Sequence, residues 1–578
     1  MQNKEMTGYP SIDKPWLKYY SEEAINAKLP ECTIFKYLWD SNKEYLDNIA
    51  LNYFDRRITY GQMFVNIKRA AKAFSALGVK EGDIVVMTTV TTPETIYAFY
   101  GLNRLGAISN MVDPRTSEEG IRDYIKEVDA KFVLTIDVAL PKIRKAIVGT
   151  GVKEVIVVSP ADSLSQPKKT AFLLSNKIKG ETPKLFKRCI CWDKFIEQGK
   201  NEKPVFSRYK KDTCCVIVHT GGTTGTPKGV VLTNDSLNIA AQQILLSPLP
   251  LSSKDKFLNI MPPFIAYGTV LGIHTVHVGN LESILIPKFE PSEFAQILLH
   301  HKPACVMGVP THFDSLMCSN KIKKTTKLSF LKVAFVGGDK IKKEVEINVN
   351  KFFASHGSSV KISKGYSLTE ASATATFASP VCNKLGSAGL PLAKTIIAIF
   401  KGDAKQELSY GEVGDIFIQS PTIMIGYYNN KADTAKIIYK DTDGNRWLMT
   451  GDYGYMDSDG SLYVLGRNKR IIVRYDGFKV FPVQIENAIE DSSFVKGSCI
   501  VGVDDKNYSQ GKLPIAFVVL NEKADKQTAK SELHDLCKRE LPEYAQPVDF
   551  VFIDELPLTL IGKVDYRALE KMAEESHT

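Results

Sequence analysis

The length, composition and charge of the chain set the first limits on what it can be. It has 578 residues, of which 44% are apolar and 24% charged; this is typical of globular proteins and excludes collagen, coiled coils and wholesale disorder. A single hydrophobic core stops growing at about 250 to 300 residues, so we expect at least two domains. The formal net charge of +9 is mildly basic, but no zinc-finger or aromatic RNA-binding signature accompanies it, so we expect no nucleic-acid partner.

Cysteine usage and hydropathy indicate the compartment. The ten cysteines have neither zinc-site nor CxxC spacing, so we interpret them as reduced thiols. No stretch reaches the roughly 18 consecutive apolar residues of a membrane span, and the first residues lack the apolar core of a signal peptide. The sequence therefore predicts a cytoplasmic protein.

Helix-like and strand-like segments alternate from about residue 60. Apolar residues recur at helical spacing in some segments, whereas others are short buried runs typical of strands. Helices are predicted over 64–77, 93–105 and 117–128. Strands are predicted over 83–88, 131–136 and 154–158. This alternation predicts an α/β fold, with a large layered N-terminal domain over 1–465 and a largely parallel sheet.

The stretch 159–201 interrupts this alternation, and we interpret it as a loop-rich, basic insertion. Between residues 168 and 188, lysines and one arginine are interleaved with aliphatic and aromatic side chains. Two interpretations stay open. The segment is either a solvated loop or a basic amphipathic stretch that makes weak peripheral contact with an anionic membrane, which would place the protein at the inner membrane surface.

The character of the sequence changes again after about residue 465. Glycine-rich and charged residues lead into predicted strands over 498–503 and 514–520, a predicted helix over 529–540 and a final loop. We interpret 466–578 as a separate small α+β domain, which is within the usual size range of domains.

The most informative segment is a loop rich in glycine and threonine that follows an apolar strand. Its sequence, TGGTTGTPKG, begins at Thr220 and ends just after Lys228. Glycines let backbone N–H groups point at an anion, threonine hydroxyls add donors, and the lysine adds a charge, so the loop suits a polyphosphate. It is not a Walker A loop, because Thr226 follows Gly225 where that pattern needs lysine. The predicted nucleotide contacts here are Thr220, Gly221, Gly222, Thr223, Thr224, Gly225, Thr226 and Lys228.

This loop resembles the signature loop of the AMP-forming, adenylate-forming enzymes, which include acyl-CoA synthetases, luciferases and the adenylation domains of peptide synthetases. Further motifs follow in the order of that family, so the resemblance covers about residues 50 to 570. It implies the adenylate-forming fold, in which the small C-terminal domain is mobile. It also implies that ATP, Mg²⁺ and CoA are used.

The run KGYSLTE, which ends at Glu370, resembles the GYGxTE motif of that family. The resemblance implies that Tyr366 stacks on adenine, Thr369 contacts phosphate and Glu370 binds magnesium. Gly365 and Ser367 belong to the same nucleotide contacts. Ser367 replaces the usual glycine, which is tolerable if the backbone there does not need a positive φ.

Three further motifs resemble nucleotide contacts. In VGGDK, Gly338 and Asp339 correspond to residues beside the adenine. In WLMTGD, Asp452 corresponds to the aspartate that binds both ribose hydroxyls, which a carboxylate can accept without strain. In GRNKR, Arg467 corresponds to a second ribose contact and Lys469 to the hinge between the domains.

The last motifs lie in the predicted small domain. The run GFKVFP, which contains Gly477 and Lys479, resembles the segment that faces the thiol donor. LPLTLIGK ends at Lys563 and resembles the motif whose lysine bridges the substrate carboxylate and the α-phosphate of ATP. The resemblance therefore implies that the catalytic residues are Lys563, Thr369 and Glu370.

For the substrate, the form TGGTTG, the basic insertion and the run ISNMVDP at 108–114 look most like bacterial long- or medium-chain acyl-CoA synthetases. The run MPPFIAYG at 261–268 is apolar where the family often has a histidine, which suits an alkyl chain. No acid is placed to hold the ammonium group of an amino acid. We therefore expect a small-molecule acid, most simply a fatty acid, and CoA as the partners.

Two alternatives remain. An acyl-AMP ligase or stand-alone adenylation enzyme would transfer the acyl group to the phosphopantetheine of a carrier protein instead of CoA. A non-catalytic nucleotide-binding homologue is suggested by Ser367, Met449, Gly466 and the missing histidine. Against the second, Lys563, Glu370, Asp452 and Arg467 are all present and would act as one electrostatic unit.

Overall fold

The protein consists of a large N-terminal α/β domain and a small C-terminal α+β domain, seen here in a computed structural model. The N-terminal domain contains three large sheets, and the C-terminal domain contains one. The structure describes residues 6–179, 184–220, 227–337, 341–402, 406–467, 470–476, 478–507, 511–522, 524–559 and 564–577, without the side chains of Lys479 and His577. Within these ranges no helix is long and apolar enough to span a bilayer.

The first sheet has seven strands, which are all parallel except for a hairpin at one edge. Most of its central residues are buried on both faces, as expected of parallel strands covered by helices. In spatial order its strands are Ser363–Lys364, Val333–Val336, Cys305–Gly308, Lys256–Asn259, Glu282–Leu285, Ile49–Tyr53 and Arg56–Thr59.

The second sheet has eight strands, of which the last six in spatial order are parallel. Its strands are Gly426–Tyr427, Gly229–Thr233, Cys214–His219, Ile108–Met111, Ile84–Thr88, Phe132–Ile136, Glu154–Val158 and Cys189–Cys191. The strand Cys214–His219 pairs in antiparallel fashion with Gly229–Thr233. The glycine- and threonine-rich loop is therefore the connection of a hairpin at the edge of the parallel part.

The third sheet is antiparallel and completes the N-terminal domain. Its strands are Gln406–Glu407, Ile396–Lys401, Gly414–Gln419, Arg446–Met456, Ile438–Lys440 and Leu462–Arg467. Two small hairpins precede it, Ser367–Leu368 with Ala373–Thr374 and Thr376–Phe377 with Leu390–Pro391. The strand Arg446–Met456 carries the TGD motif into this sheet.

The helices pack on the sheets through apolar faces at helical spacing. In Tyr60–Ala76 the buried residues recur every three or four positions, and Thr59 and Gln62 form a reciprocal capping box at its start. The N-terminal domain contains the longer helices Ile34–Asn42, Tyr60–Ala76, Pro93–Leu105, Glu118–Glu127, Leu140–Ala146, Gln166–Lys179, Trp192–Gln198, Asn234–Leu245, Phe294–His301, Pro310–Met317, Lys343–Ser355 and Lys431–Ile437, and the π-helical segment Tyr267–Thr275.

The C-terminal domain has a three-stranded sheet and three longer helices around its own apolar core. The strands are Val495–Asp504, Lys512–Leu520 and Asp549–Phe552, and a small hairpin pairs Ile472–Val473 with Lys479–Val480. The helices are Pro482–Glu490, Lys526–Glu540 and Tyr566–His577.

Two predictions about these elements were wrong. The insertion 159–201 is not mainly loop, because it contains the helices Gln166–Lys179 and Trp192–Gln198 and the edge strand Cys189–Cys191. The chain also does not end in a loop, because Tyr566–His577 is a helix that buries Leu569 and Ala573. Interleaved lysines hid the first helix. In the last helix Leu569 and Ala573 lie four residues apart on one buried face, so the helical spacing is present in the sequence and the prediction of a loop missed it.

Candidate functional site

One large cavity lies at the carboxyl ends of both parallel sheets. Its volume is about 3910 Å³. The residues that follow the strands of both sheets line it, as expected where parallel strands end together. From the first sheet these include Phe54, Ile260, Ile286, Val309, Gly365 and Tyr366, and from the second Val90, Asp137, Pro160 and Thr220.

The base of the predicted phosphate loop is closed by its first and last described residues. The Thr220 N–H donates to the Lys228 carbonyl at 3.0 Å, and the Lys228 N–H donates to Thr220 Oγ1 at 3.2 Å. Both residues line the cavity. The predicted contacts from Gly221 to Thr226 lie outside the described residues.

Four side chains beside this loop were not predicted from the sequence: Asp433, Tyr427, His219 and Asn110. Lys228 Nζ forms an ion pair with Asp433 at 2.7 Å and lies 4.9 Å from the centre of the Tyr427 ring. His219, the residue before the loop, bonds Asn110 through Nε2 at 2.7 Å, and burial lowers its pKa to about 4. His219 is therefore neutral at pH 7 and adds no charge to the loop. No sequence spacing links Asp433 or Asn110 to the loop.

Four predicted nucleotide contacts meet at one place in the cavity. The Tyr366 hydroxyl donates a hydrogen bond to Asp452 Oδ2, and Arg467 Nε lies 3.4 Å from Asp452 Oδ1. Burial, with the Asp452 carboxylate, raises the pKa of the Tyr366 hydroxyl well above its ordinary value, so the hydroxyl keeps its proton. At Gly365 an added Cβ would lie 2.6 Å from the Thr376 carbonyl oxygen, so only glycine fits there.

The predicted magnesium ligand is also in this cavity. Glu370 accepts a hydrogen bond of 2.8 Å from the Tyr427 hydroxyl, and Thr369 lines the wall beside it. Ser367 lies in a strand paired with Thr374 and is not among the described residues with positive φ. The replacement of glycine by Ser367 therefore causes no backbone strain.

The apolar run at 261–268 forms one wall of the cavity. The side chain of Ile265 lines the cavity from this run. Gly268 allows the chain to fold tightly here, because an added Cβ would lie 1.8 Å from the Pro262 carbonyl oxygen. The Tyr267 hydroxyl is buried without a hydrogen-bond partner among the described residues, and a Cβ on Gly337 would lie 3.1 Å from it.

The C-terminal domain closes one side of the same cavity. Leu558 and Val564 pair as an antiparallel bridge, and both line the cavity. Lys342 of the N-terminal domain forms an ion pair of 2.8 Å with Glu490 of the C-terminal domain. The predicted site residues Gly338, Asp339, Lys469, Gly477 and Lys563, and the side chain of Lys479, lie outside the described part of the chain.

A buried ion pair supports the floor of the site and was not foreseen. Lys364 Nζ bonds Glu346 Oε1, and the two side chains are only 5% and 3% exposed. Lys364 Nζ also donates to the Lys384 carbonyl at 2.9 Å, and Glu346 Oε2 accepts from the Gly386 N–H at 3.2 Å. Because Lys364 immediately precedes Gly365 and Tyr366, this network fixes the start of the predicted nucleotide contacts.

Comparisons with known proteins agree with this architecture. The family model "AMP-binding enzyme" matches residues 38–428, and the model "AMP-binding enzyme C-terminal domain" matches residues 484–563. The chain is 30% identical, over 98% of its length and 99% of the relative, to a long-chain-fatty-acid–CoA ligase of Bacillus subtilis. It is 26% identical, over 94% of its length and 96% of the relative, to a probable 4-coumarate–CoA ligase of Dictyostelium discoideum.

Solved structures share the fold. The anthranilate CoA ligase AuaEII in complex with anthranoyl-AMP superposes with a TM-score of 0.79 at 20% identity, over 95% of this chain and 99% of that one. ATP-bound MatB from Rhodopseudomonas palustris gives a TM-score of 0.79 at 20% identity, over 94% and 99% of the two chains. The family models and the full-length relatives lead to one conclusion: the chain belongs to the AMP-binding enzyme family, among the AMP-forming acid–CoA ligases.

Proposed function

We propose that this protein joins a fatty acid to CoA in two steps, with an acyl-adenylate as the intermediate. The observation that carries the proposal is the cavity itself. Its lining includes Tyr366, Asp452, Arg467 and Glu370, which suit a nucleotide, and also a set of apolar side chains that follow strands of the first sheet. A cavity of this kind can hold ATP and an alkyl chain side by side.

The apolar walls favour an alkyl substrate over a charged one. Side chains that line this part are Ile260, Met261, Phe264, Ile265, Ile286, Phe289, Val309 and Val336. His312 also faces it, but burial lowers its pKa to about 4, so it is neutral at pH 7. Burying an apolar chain here would contribute about 0.8 kcal/mol per methylene group. The long-chain relative at 30% identity supports this choice, whereas the 4-coumarate ligase relative leaves an aromatic acid as the competing substrate.

In the first step a carboxylate oxygen attacks the α-phosphorus of ATP, and pyrophosphate leaves with the bonding pair. In the second, the thiol of CoA loses its proton and attacks the acyl carbon, and AMP leaves. Negative charge that gathers during the first step needs fixed donors and cations. We assign this role to the loop from Thr220 to Lys228 and to Lys563, with Asp452 and Arg467 holding the ribose and Tyr366 lying against the adenine.

The domain assignments follow from the same proposal. We place the boundary at 465/466, with Lys469 at the hinge and Gly477 and Lys479 in the segment that faces the thiol donor. The contact between Lys342 and Glu490 supports an arrangement in which the C-terminal domain closes over the cavity. We assign Gly338 and Asp339 to the adenine edge.

The residues around Glu370 fit a magnesium ion carried by ATP. Glu370 is a carboxylate on the cavity wall, next to the Thr369 hydroxyl, and oxygen ligands of this kind suit a hard cation. When bound, the ion would supply positive charge to the phosphate oxygens. Tyr427 orients the carboxylate by its hydrogen bond of 2.8 Å.

Replacing Glu370 with glutamine should raise the magnesium concentration needed for half-maximal activity by about tenfold, because the amide keeps the shape but loses the charge. The measurement is AMP release against magnesium at saturating ATP. Tyr427→Phe is the matched control: it removes the orienting hydrogen bond, keeps the carboxylate, and should cause a smaller shift. An unchanged magnesium requirement in Glu370→Gln would remove Glu370 from this role.

Replacing Asp452 with alanine should lower kcat/KM for ATP by about 10² to 10⁴, since each of the two hydrogen bonds from the ribose to a carboxylate contributes about 1.5 to 3 kcal/mol. Tyr366→Phe separates the two interactions of the Asp452 carboxylate, one with the Tyr366 hydroxyl and the other with the ribose. It removes the hydrogen bond that Asp452 accepts from the protein but leaves Asp452 for the ribose, so its effect should be about tenfold smaller. Equal losses in the two variants would mean that Asp452 acts through Tyr366 alone.

The overall proposal is tested by offering a panel of free acids with ATP, magnesium and CoA and by measuring AMP and acyl-CoA. Saturated acids of increasing chain length should be the best substrates, and aromatic acids should be poor. Replacing CoA with a phosphopantetheinylated carrier protein tests the acyl-AMP ligase alternative, in which acyl transfer occurs only to the carrier. A non-catalytic homologue would release no AMP with any acid.

A further inference from the structure

The helix Gln166–Lys179 of the insertion, here called the insertion helix, is attached to the domain along one side only. It has no buried residue. Lys168 Nζ bonds the Phe54 carbonyl at 2.6 Å and Asp55 at 3.0 Å, and Phe172 packs against the main core. These contacts fix the first half of the helix in place and leave the second half facing outward.

The outward side of the second half is aliphatic. Leu174 and Ile178 are four residues apart, so they lie on one face of the helix, and they are 56% and 87% exposed. Leu173 on this helix and Leu185 shortly after it are each 50% exposed. Exposed aliphatic side chains that share one helix face, as Leu174 and Ile178 do, are a candidate interaction site.

Basic residues predominate in this stretch, where Glu181 is the one acidic residue between 166 and 191. Lys177 and Lys187 form no ion pair within the described residues, whereas Lys168 and Lys169 are paired with Asp55 and Asp193. The described parts of the chain from 166 to 179 and from 184 to 191 contain no acidic residue. We call Leu173, Leu174, Lys177, Ile178, Leu185 and Lys187 the insertion surface.

The large cavity reaches this same region. Phe172 and Asn176 of the insertion helix line it, as do the exposed residues Lys179 and Lys184. Val138, which is 78% exposed, lines it as well. The lining of the cavity also includes the apolar residues Phe54, Val90, Pro160, Ile286 and Phe289, together with charged residues such as Arg115 and Lys288. The cavity therefore extends from the predicted nucleotide contacts to the surface beside the insertion helix.

From these observations we infer that the insertion surface docks on an anionic lipid bilayer. The lysines of this surface attract anionic headgroups, and the aliphatic residues between them can enter the interface between headgroups and acyl chains. A protein partner is less well matched, because protein interfaces favour aromatic residues and arginine and are depleted in lysine. If the proposed fatty-acid substrate is correct, on which this last step rests, the acyl chain passes from the bilayer into the adjacent end of the cavity.

The test is sedimentation of the full-length protein with vesicles. The protein should bind vesicles of phosphatidylglycerol and phosphatidylcholine in equal parts, bind phosphatidylcholine alone much more weakly, and be released by high salt. The double variants Leu174→Gln/Ile178→Gln and Lys177→Glu/Lys187→Glu should each weaken binding by about tenfold or more. All four side chains are exposed, so the variants should fold as the parent does.

Matched controls carry the same changes elsewhere on the surface. Ile12 and Val205 are 59% and 89% exposed, and Ile12→Gln/Val205→Gln should bind vesicles like the parent. Lys43 and Lys440 are exposed as well, and Lys43→Glu/Lys440→Glu should also leave binding unchanged. Equal loss in the lysine control would show attraction by overall charge rather than by this surface, and would overturn the proposal.

Assays without vesicles, with a short water-soluble acid, separate this inference from the proposed function. Vesicle binding that is absent, or that the insertion-surface variants do not weaken, overturns the inference even if acyl-CoA forms normally. If instead Lys177→Glu/Lys187→Glu raises KM for CoA and leaves vesicle binding unchanged, these lysines bind the phosphates of CoA and the inference is also wrong. Inactivity toward every acid, with normal vesicle binding, contradicts only the proposed function.

Discussion

Replacing Lys563 with alanine should lower the rate of acyl-adenylate formation by about 10² to 10³, the usual cost of losing one charged donor from a preorganised site. Lys563 itself lies outside the described residues, but the chain on both sides of it does not. Leu558 and Val564 pair with each other and both line the cavity that also contains Tyr366 and Asp452. The described residues on either side of Lys563 therefore lie at the cavity. The proposed role places its ammonium group beside the α-phosphate and the substrate carboxylate.

The measurement is acid-dependent exchange of pyrophosphate into ATP, which reports the first step alone. Thioester formation from supplied acyl-adenylate and CoA reports the second, and it should be much less affected, because Lys563 is assigned only to the first step. Lys571→Ala is the matched control, since Lys571 is an exposed lysine on the last helix. Normal exchange in Lys563→Ala, or an equal loss in both steps, would contradict the assigned role.

The layered architecture of the N-terminal domain was predictable because the spacing of its apolar residues matches the burial of its helices and strands. Phe64, Ile67, Ala71 and Phe74 recur at the helical period, and all are buried in Tyr60–Ala76. The strands Ile84–Thr88 and Phe132–Ile136 are short apolar runs, and both lie inside the parallel sheet. The helical period reports which face of a helix is buried, and a short continuous apolar run reports a strand that is covered on both faces.

The contacts that organise the site were not predictable from spacing. Asp433 pairs with Lys228 across about two hundred residues of chain. Tyr427, in an edge strand of the second sheet, bonds Glu370 in the short 3-10 turn Thr369–Ala371. Single polar residues carry no periodic signal, and only the fold brings them together. The same holds for Lys364, which the sequence offers merely as one of 74 lysines and arginines.

Lys364→Met should destabilise the N-terminal domain by about 3 to 5 kcal/mol, the range expected when one partner of a buried ion pair is removed. The destabilisation comes from the Glu346 carboxylate, which stays buried after its partner is removed. Glu346 is only 3% exposed, and its Oε1 would lose Lys364 while Oε2 keeps the Gly386 N–H. Burial lowers the pKa of Lys364, whereas Glu346 opposes that shift, so the ammonium depends on its partner as much as the carboxylate does.

Denaturant unfolding of the full-length variants measures this effect, with Lys361→Met as the matched control at an exposed position three residues earlier. The double variant Lys364→Met/Glu346→Leu should recover most of the loss, since apolar replacement of both partners leaves no uncompensated charge. If the double variant is as unstable as Lys364→Met, lost packing is responsible rather than the buried carboxylate. Because Lys364 adjoins Gly365 and Tyr366, recovery of stability without recovery of KM for ATP would show that the ion pair also positions the nucleotide contacts.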